Sequence, residues 1–154
     1  MCWITDQHRL LKARIQIMNE IERREVKEAI DAADDALYHL KEARSYLSSA
    51  SNWGLFDLLG GGFISGLLKH SKMGRAESEV EAAKAALARF SKELHDVSGY
   101  SSIHIDGLLT FGDFFFDGFL MDVIVQSKIS DAKKQCDKTI KQVESIKKEL
   151  EARR

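Results

Sequence analysis

Apolar residues recur every three or four positions along three long stretches of the chain. The first stretch carries Val26, Ile30, Ala33, Leu37, Leu40 and Leu47, and an earlier patch in a similar rhythm carries Leu11, Ile15, Met18 and Ile21. This spacing predicts a helix with one apolar face, of the kind that packs in a coiled coil. We expect it to run from about Asp6 to about Ser49. A helix of that length, roughly 60 Å, needs a partner along it because propensity alone stabilises helices weakly.

The remaining chain repeats one arrangement, an apolar segment followed by a heptad-patterned helix. A breaker cluster at 48–52 precedes the apolar segment 53–68, which contains a run of three glycines where we expect a bend. The second helix then carries Met73, Ala76, Val80, Ala83, Leu87, Phe90, Leu94 and Val97. After a second apolar segment, 108–125, the third carries Ile129, Ala132, Cys136, Thr139, Val143, Ile146 and Leu150.

These patterns predict an all-α fold in a single domain, residues 1–154. We expect a long antiparallel, coiled-coil-like bundle of three long helices with short apolar helices between them. The complete absence of proline suits this interpretation, since proline breaks helix interiors. If the three helices run up, down and up, the two apolar segments lie at opposite ends of the bundle.

The second and third units match each other without a gap. Residues 55–94 align with 111–150 at a fixed offset of 56, and nine pairs are identical: Asp57/Asp113, Gly62/Gly118, Phe63/Phe119, Ser71/Ser127, Lys72/Lys128, Ala76/Ala132, Lys92/Lys148, Glu93/Glu149 and Leu94/Leu150. Any two heptad helices share apolar positions, but several of these pairs lie outside the seam. We interpret the match as an internal repeat.

Composition narrows the class of function. The net charge of −1 argues against a nucleic-acid binder, which normally carries a basic excess. Cys2 and Cys136 lack metal or redox spacing and are expected to be free thiols. The N-terminus does not resemble a signal peptide, and no apolar run is long enough to span a membrane. These features favour the cytoplasm.

No pattern indicates catalysis, a cofactor or a metal. Phosphate-loop, dinucleotide and nucleophile-elbow motifs are missing. Asp35 and His39, one helical turn apart with Glu42 further on, offer a weak metal-ligand pattern. An ordinary solvated helix face is the better interpretation of these three residues, so the chain is not expected to be an enzyme.

The apolar segments are the strongest candidates for an interaction site. Residues 53–68 resemble the amphipathic helices of membrane-lytic peptides, which makes a peripheral membrane protein the alternative hypothesis. The counterpart segment opposes it, because no Lys or Arg occurs between Glu93 and Lys128 while several Asp do, and anionic headgroups repel such a segment. A dimer contact, or a contact with another protein, is preferred, formed by Trp53, Phe56, Asp57, Phe63, Phe114, Phe115, Phe116 and Phe119.

Several short motifs occur together in this order: Asn52-Trp53-Gly54 with Asp57 and Gly60-Gly61-Gly62, then Lys69-His70-Ser71-Lys72, Phe115-Phe116-Asp117-Gly118 and Gln126-Ser127-Lys128. As a set they resemble a group of uncharacterised bacterial helical proteins with the same arrangement, over roughly residues 25–150. The resemblance implies a bacterial cytoplasmic origin, and it brings no activity because the group has no assigned function. The sequence therefore predicts a non-enzymatic helical module that binds protein, most simply a second copy of itself.

Overall fold

In the computed structural model, residues 2–58, 64–99 and 126–154 are described, and side-chain surroundings are described for 5–49, Arg75, 78–99 and 130–154. Within these ranges the chain forms three helices: α1 (Cys2–Leu58), α2 (Ile64–Asp96) and α3 (Gln126–Ala152). No strand occurs in the described ranges. The predicted all-α fold is confirmed.

Helix α1 is longer than the sequence pattern predicts. It continues through the serine-rich cluster at 48–52 and ends at Leu58. Serine lowers helix stability only modestly, and no proline is present to interrupt the backbone hydrogen bonds. The segment 53–68 is therefore not a separate short helix. Its first residues are the last turns of α1 and its last residues begin α2, while residues 59–63, with the glycine run, lie outside the described residues.

Ion pairs between helices fix their directions. On α2, Glu79 pairs with His39 and Arg89 with Asp35, so residue numbers rise along α2 as they fall along α1. On α3, the pairs are Asp137 with Arg44, Glu144 with Lys41 and Lys147 with Asp34, and the order is again opposite. Helix α1 is thus antiparallel to both of the other helices.

It follows that α2 and α3 run parallel to each other, so the helices do not follow the up, down and up order under which the two apolar segments would lie at opposite ends. Their C-terminal ends lie together, because Arg153 donates a hydrogen bond from Nη1 to the Ser98 carbonyl oxygen at 2.6 Å. Their first residues, Ile64 and Gln126, consequently lie near the same end of the bundle, the end at which α1 finishes. The sequence pattern gives helix boundaries but not helix direction, which depends on the path of the connecting segments.

The core is one cluster of buried apolar side chains contributed by all three helices. Helices α2 and α3 bury equivalent positions at the offset of 56, namely Val80/Cys136, Ala83/Thr139, Leu87/Val143, Phe90/Ile146 and Leu94/Leu150. Helix α1 packs against both α2 and α3, and within the described residues no Cα atom of α2 comes within 8 Å of one in α3. Helix α1 is therefore the central element, and two helices in matching register cover two sides of it.

Helix α2 ends at Asp96 and is followed, three residues later, by a glycine with left-handed backbone. Gly99 has φ of 91°, and the Val97 amide donates to the Leu94 carbonyl oxygen at 3.2 Å. A left-handed residue just after the last turn is a common way to end a helix, and glycine adopts it without steric cost. Because α2 stops here, it covers α1 only as far as this level of the bundle.

The direction of α3 can be tested through Arg44 and Asp137. Their hydrogen bonds, Nε to Oδ1 at 2.5 Å and Nη2 to Oδ2 at 3.2 Å, raise the pKa of Arg44 above its usual value. Both side chains are about half exposed, so the pair should contribute only about 0.5–1 kcal/mol. A double-mutant cycle of Arg44→Ala and Asp137→Ala, followed by urea unfolding, should measure coupling of that size.

The control cycle pairs Arg44→Ala with Lys138→Ala, since Lys138 is exposed and adjacent to Asp137 in the chain. This cycle should show no coupling. Equal coupling in both cycles, or none in either, would contradict the antiparallel placement of α3 against α1.

Candidate interaction surface

The N-terminal part of α1 extends beyond the bundle. Every residue from Thr5 to Arg24 is exposed, whereas buried residues begin at Val26 and recur to Leu47. We call residues 5–24 the arm. It contains neither glycine nor proline and is rich in Leu, Arg, Met, Gln, Glu and Lys, which are good helix formers. At 1.5 Å per residue the arm is about 30 Å long.

The arm carries six large apolar side chains that stand in solvent, with exposed fractions between 41% and 67%: Leu10, Leu11, Ile15, Ile17, Met18 and Ile21. At roughly 100 Å² apiece they present on the order of 600 Å² of apolar surface, at the upper end of what soluble monomers expose in one patch. A helix that is apolar on one side and has no neighbour there has an uncovered packing face.

The apolar side of the arm continues the side of α1 that α2 covers. Within the bundle, Asp35 and His39 mark the side facing α2. Residues seven apart lie on nearly the same side of a helix, because two turns take 7.2 residues. Stepping back by sevens from Ala32, Asp35 and Ala36 reaches eight positions of the arm. Four of them are apolar, namely Leu11, Ile15, Met18 and Ile21, and four are polar, namely Gln7, His8, Arg14 and Glu22.

The other side of the arm is polar. Arg44, paired with Asp137, marks the side of α1 that faces α3, and Ile30 and Leu37 share its register. Stepping back by sevens from Ile30 reaches the polar residues Arg23, Gln16 and Arg9. The arm is thus built to continue packing on the α2 side alone, beyond the point where α2 ends.

A groove between α1 and α3 was considered as a second candidate site. It has a volume of about 600 Å³ and is open to solvent. Most of its charged groups are paired with one another, Lys147 with Asp34 at 2.6 Å and Lys41 with Glu144 at 3.0 Å. The hydrogen bond to Asp34 raises the pKa of Lys147. These side chains hold α3 against α1, and the groove offers no convergent group for a ligand.

The weak metal pattern at Asp35 and His39 becomes an interhelical contact in the structure. His39 Nδ1 lies 2.9 Å from Glu79 Oε2, and His39 Nε2 lies 3.7 Å from Asp35 Oδ1. Asp35 also faces Arg89 across the helix pair at 4.0 Å. No group of three or more His, Cys, Asp or Glu side chains within the described residues is arranged to hold a metal ion.

The interaction residues predicted from the sequence lie outside the side chains that the structure describes. Trp53, Phe56 and Asp57 belong to the last turns of α1 by backbone, and their surroundings are not described. The predicted residues Phe63, Phe114, Phe115, Phe116 and Phe119 lie outside the described residues altogether. The structure therefore leaves that predicted contact as a prediction.

The exposed arm was missed as a site by sequence reasoning, although its apolar rhythm was visible. The available signal was a mismatch in length. Helix α1 has 57 residues, whereas α2 has 33 and α3 has 27, so neither can cover α1 from end to end. An apolar face on the uncovered length indicates a surface that needs another partner.

Comparison with known proteins adds no relative. No family model, no curated protein and no solved structure matches this chain. Among the described helices, none combines the length and apolar character needed to cross a membrane. The function must therefore be inferred from the surfaces of the molecule itself.

Cys136 is a free thiol inside the core, fully buried between the helices. Burial raises its pKa from 9.0 to about 12, because the thiolate would lose its hydration there. The folded state therefore keeps a proton that the unfolded chain releases above pH 9, so folding stability must fall as pH rises from about 9 toward 12.

By this linkage, ionisation of Cys136 in the unfolded chain should remove about 2 kcal/mol of unfolding free energy by pH 10.5. Cys136→Ala lacks the titrating group, although its baseline stability is lower because of the smaller side chain. Urea unfolding of both proteins at pH 8 and pH 10.5 measures the difference in pH response. Any other group that titrates in this pH range does so in both proteins. An equal fall of the unfolding free energy in both proteins would therefore contradict a buried neutral thiol.

Proposed function

We propose that the protein is a non-enzymatic helical module that acts by binding protein through the apolar side of the arm. The main observation in support of this proposal is that residues 5–24 form a solvent-exposed helix with six large apolar side chains along one side. Burial of such side chains contributes about 1.5–3 kcal/mol each when complete. A helical partner suits this surface, since the same side of α1 packs on a helix within the bundle.

The arm is less suited to a lipid surface. Its five basic residues are offset by three acidic ones, Asp6, Glu20 and Glu22, which leaves a net charge of +2. Attraction to anionic headgroups depends on clustered Lys and Arg, and interspersed carboxylates weaken it. The alternative of a peripheral membrane protein, built on residues 53–68, concerns side chains outside those described and stands as the second candidate.

We also propose that α2 and α3 arose as two copies of one unit. Their parallel direction and matching buried positions at the offset of 56 support this, and both are consistent with two equivalent helices docked on α1. We propose as well that the protein is related to the uncharacterised bacterial helical proteins that it resembles, and that it is located in the cytoplasm.

The role of the arm can be tested by placing two carboxylates on its apolar side. Leu11→Glu combined with Met18→Glu should weaken association at least 100-fold, since each charge would have to be buried without a partner. Sedimentation equilibrium at 1–50 µM measures the change, with wild type expected to associate in this range. Circular dichroism at 222 nm checks that α1 remains helical.

The matched control is Ala13→Glu combined with Gln16→Glu, which adds the same charge on the opposite side of the arm. It should associate as wild type does. A wild-type protein that stays monomeric to 50 µM and instead floats with lipid vesicles would favour the membrane alternative. A dimer unaffected by Leu11→Glu with Met18→Glu would move the contact away from the arm.

A further inference from the structure

The question left by the arm is what covers its apolar side. Within the bundle that side is covered by α2, whose last buried residue is Val97, while the last buried residue of α1 in this direction is Val26. The uncovered face is therefore continuous with an established helix–helix contact and begins where α2 stops. Its occupant must lie end to end with α2 along α1.

The protein's own connecting segment is poorly placed to be that occupant. Residues 100–125 join Ser98, at one end of the bundle, to Gln126, at the other, because Arg153 holds the last turn of α3 beside Ser98. The length of α3 makes this separation about 39 Å. To reach Leu11 and return, this segment would have to cover about 45 Å more. The whole path would then be close to the length of 27 residues in fully extended conformation, at about 3.3 Å per residue.

A fully extended segment would also be a poor cover. Its backbone N–H and C=O groups would face a helix whose own backbone groups are already bonded, so those buried against the arm would stay unpaired. A helix has its backbone bonds satisfied internally and avoids this cost. The arm of a second copy is such a helix, and it carries an apolar side of the same length.

Resting on the proposed function, we infer that the partner is a second copy of this chain, and that the two arms pair antiparallel. Parallel arms would bring the two bundles side by side, with each copy's α2 occupying the space between the two α1 helices. Antiparallel arms place the bundles at opposite ends of the pair. Each arm then points its N-terminus toward the end of the other copy's α2, where the face is free.

The area and the charges agree with this arrangement. Two arms would bury on the order of 1,200 Å² of apolar surface, the lower end of the range for specific protein interfaces. Parallel pairing would set Arg14, which lies in the register of the apolar side, beside its own copy. Antiparallel pairing offsets Arg14 toward the other end of the partner's arm, where Glu22 lies on the same side.

Distances between spin labels test the orientation of two arms that overlap along their full length. Arg9→Cys and Arg23→Cys each place a label on the polar side, two heptads apart, in a Cys2→Ser background. The buried Cys136 remains, and the Cys2→Ser protein alone should take up no label. Three samples are compared by pulsed electron resonance: each variant paired with itself, and the two variants mixed.

In an antiparallel pair the mixed sample should give the shortest distance, because its two labels lie at nearly the same level along the axis and are separated only across the two helices. The pair of labels at residue 23 should be the longest, on the order of 20–30 Å along the axis. In a parallel pair the order reverses, with both matched pairs short and the mixed pair about 21 Å apart along the axis.

These outcomes separate the inference from the proposed function. A dimer that Leu11→Glu with Met18→Glu abolishes, but whose labels give parallel distances, overturns the antiparallel inference and keeps the arm as the interaction surface. A protein that is monomeric at all concentrations, with no distance between copies, overturns both. Distances that do not change between the three samples show a contact elsewhere on the molecule and also overturn the inference.

Discussion

The structure depends on how the two sides of α1 are covered. Helix α1 has an apolar face wide enough for two neighbours, and α2 and α3 pack against it from two sides in the same direction. Both bury the same register positions, so the bundle behaves as one central helix with two equivalent partners. Because α1 is longer than either partner, coverage by the described residues stops at Val26, and the exposed apolar surface of the arm follows from that stop.

The difference between the two sides of α1 explains why only one side needs a further partner. On the side facing α3, the apolar positions change to polar ones as soon as the bundle ends, so the chain is solvated there at little cost. On the side facing α2, large apolar residues continue for about four more turns, as far as Leu10. A helix that simply overshot its bundle would be expected to become polar all round.

Much of the fold could be predicted from the sequence, and the reasons for the misses are physical. The heptad spacing at Val80, Leu87 and Leu94 predicts helices and their buried faces, because burial imposes a period that the residues display. Helix direction could not be predicted, since an amphipathic face is the same in either direction. The end of α1 was misplaced because serine weakens a helix without ending it.

The candidate site was harder to predict for a different reason. The aromatic segments were predicted to form the interaction site because large apolar side chains dominate interfaces. A sequence alone does not show whether the core of the same protein covers such side chains. For Leu11 and Met18 the deciding fact is the absence of a neighbour among the described residues, which depends on where α2 stops. Helix α2 ends at Asp96, three residues before the left-handed Gly99, and the position of this end determines how much of α1 is left for a second chain.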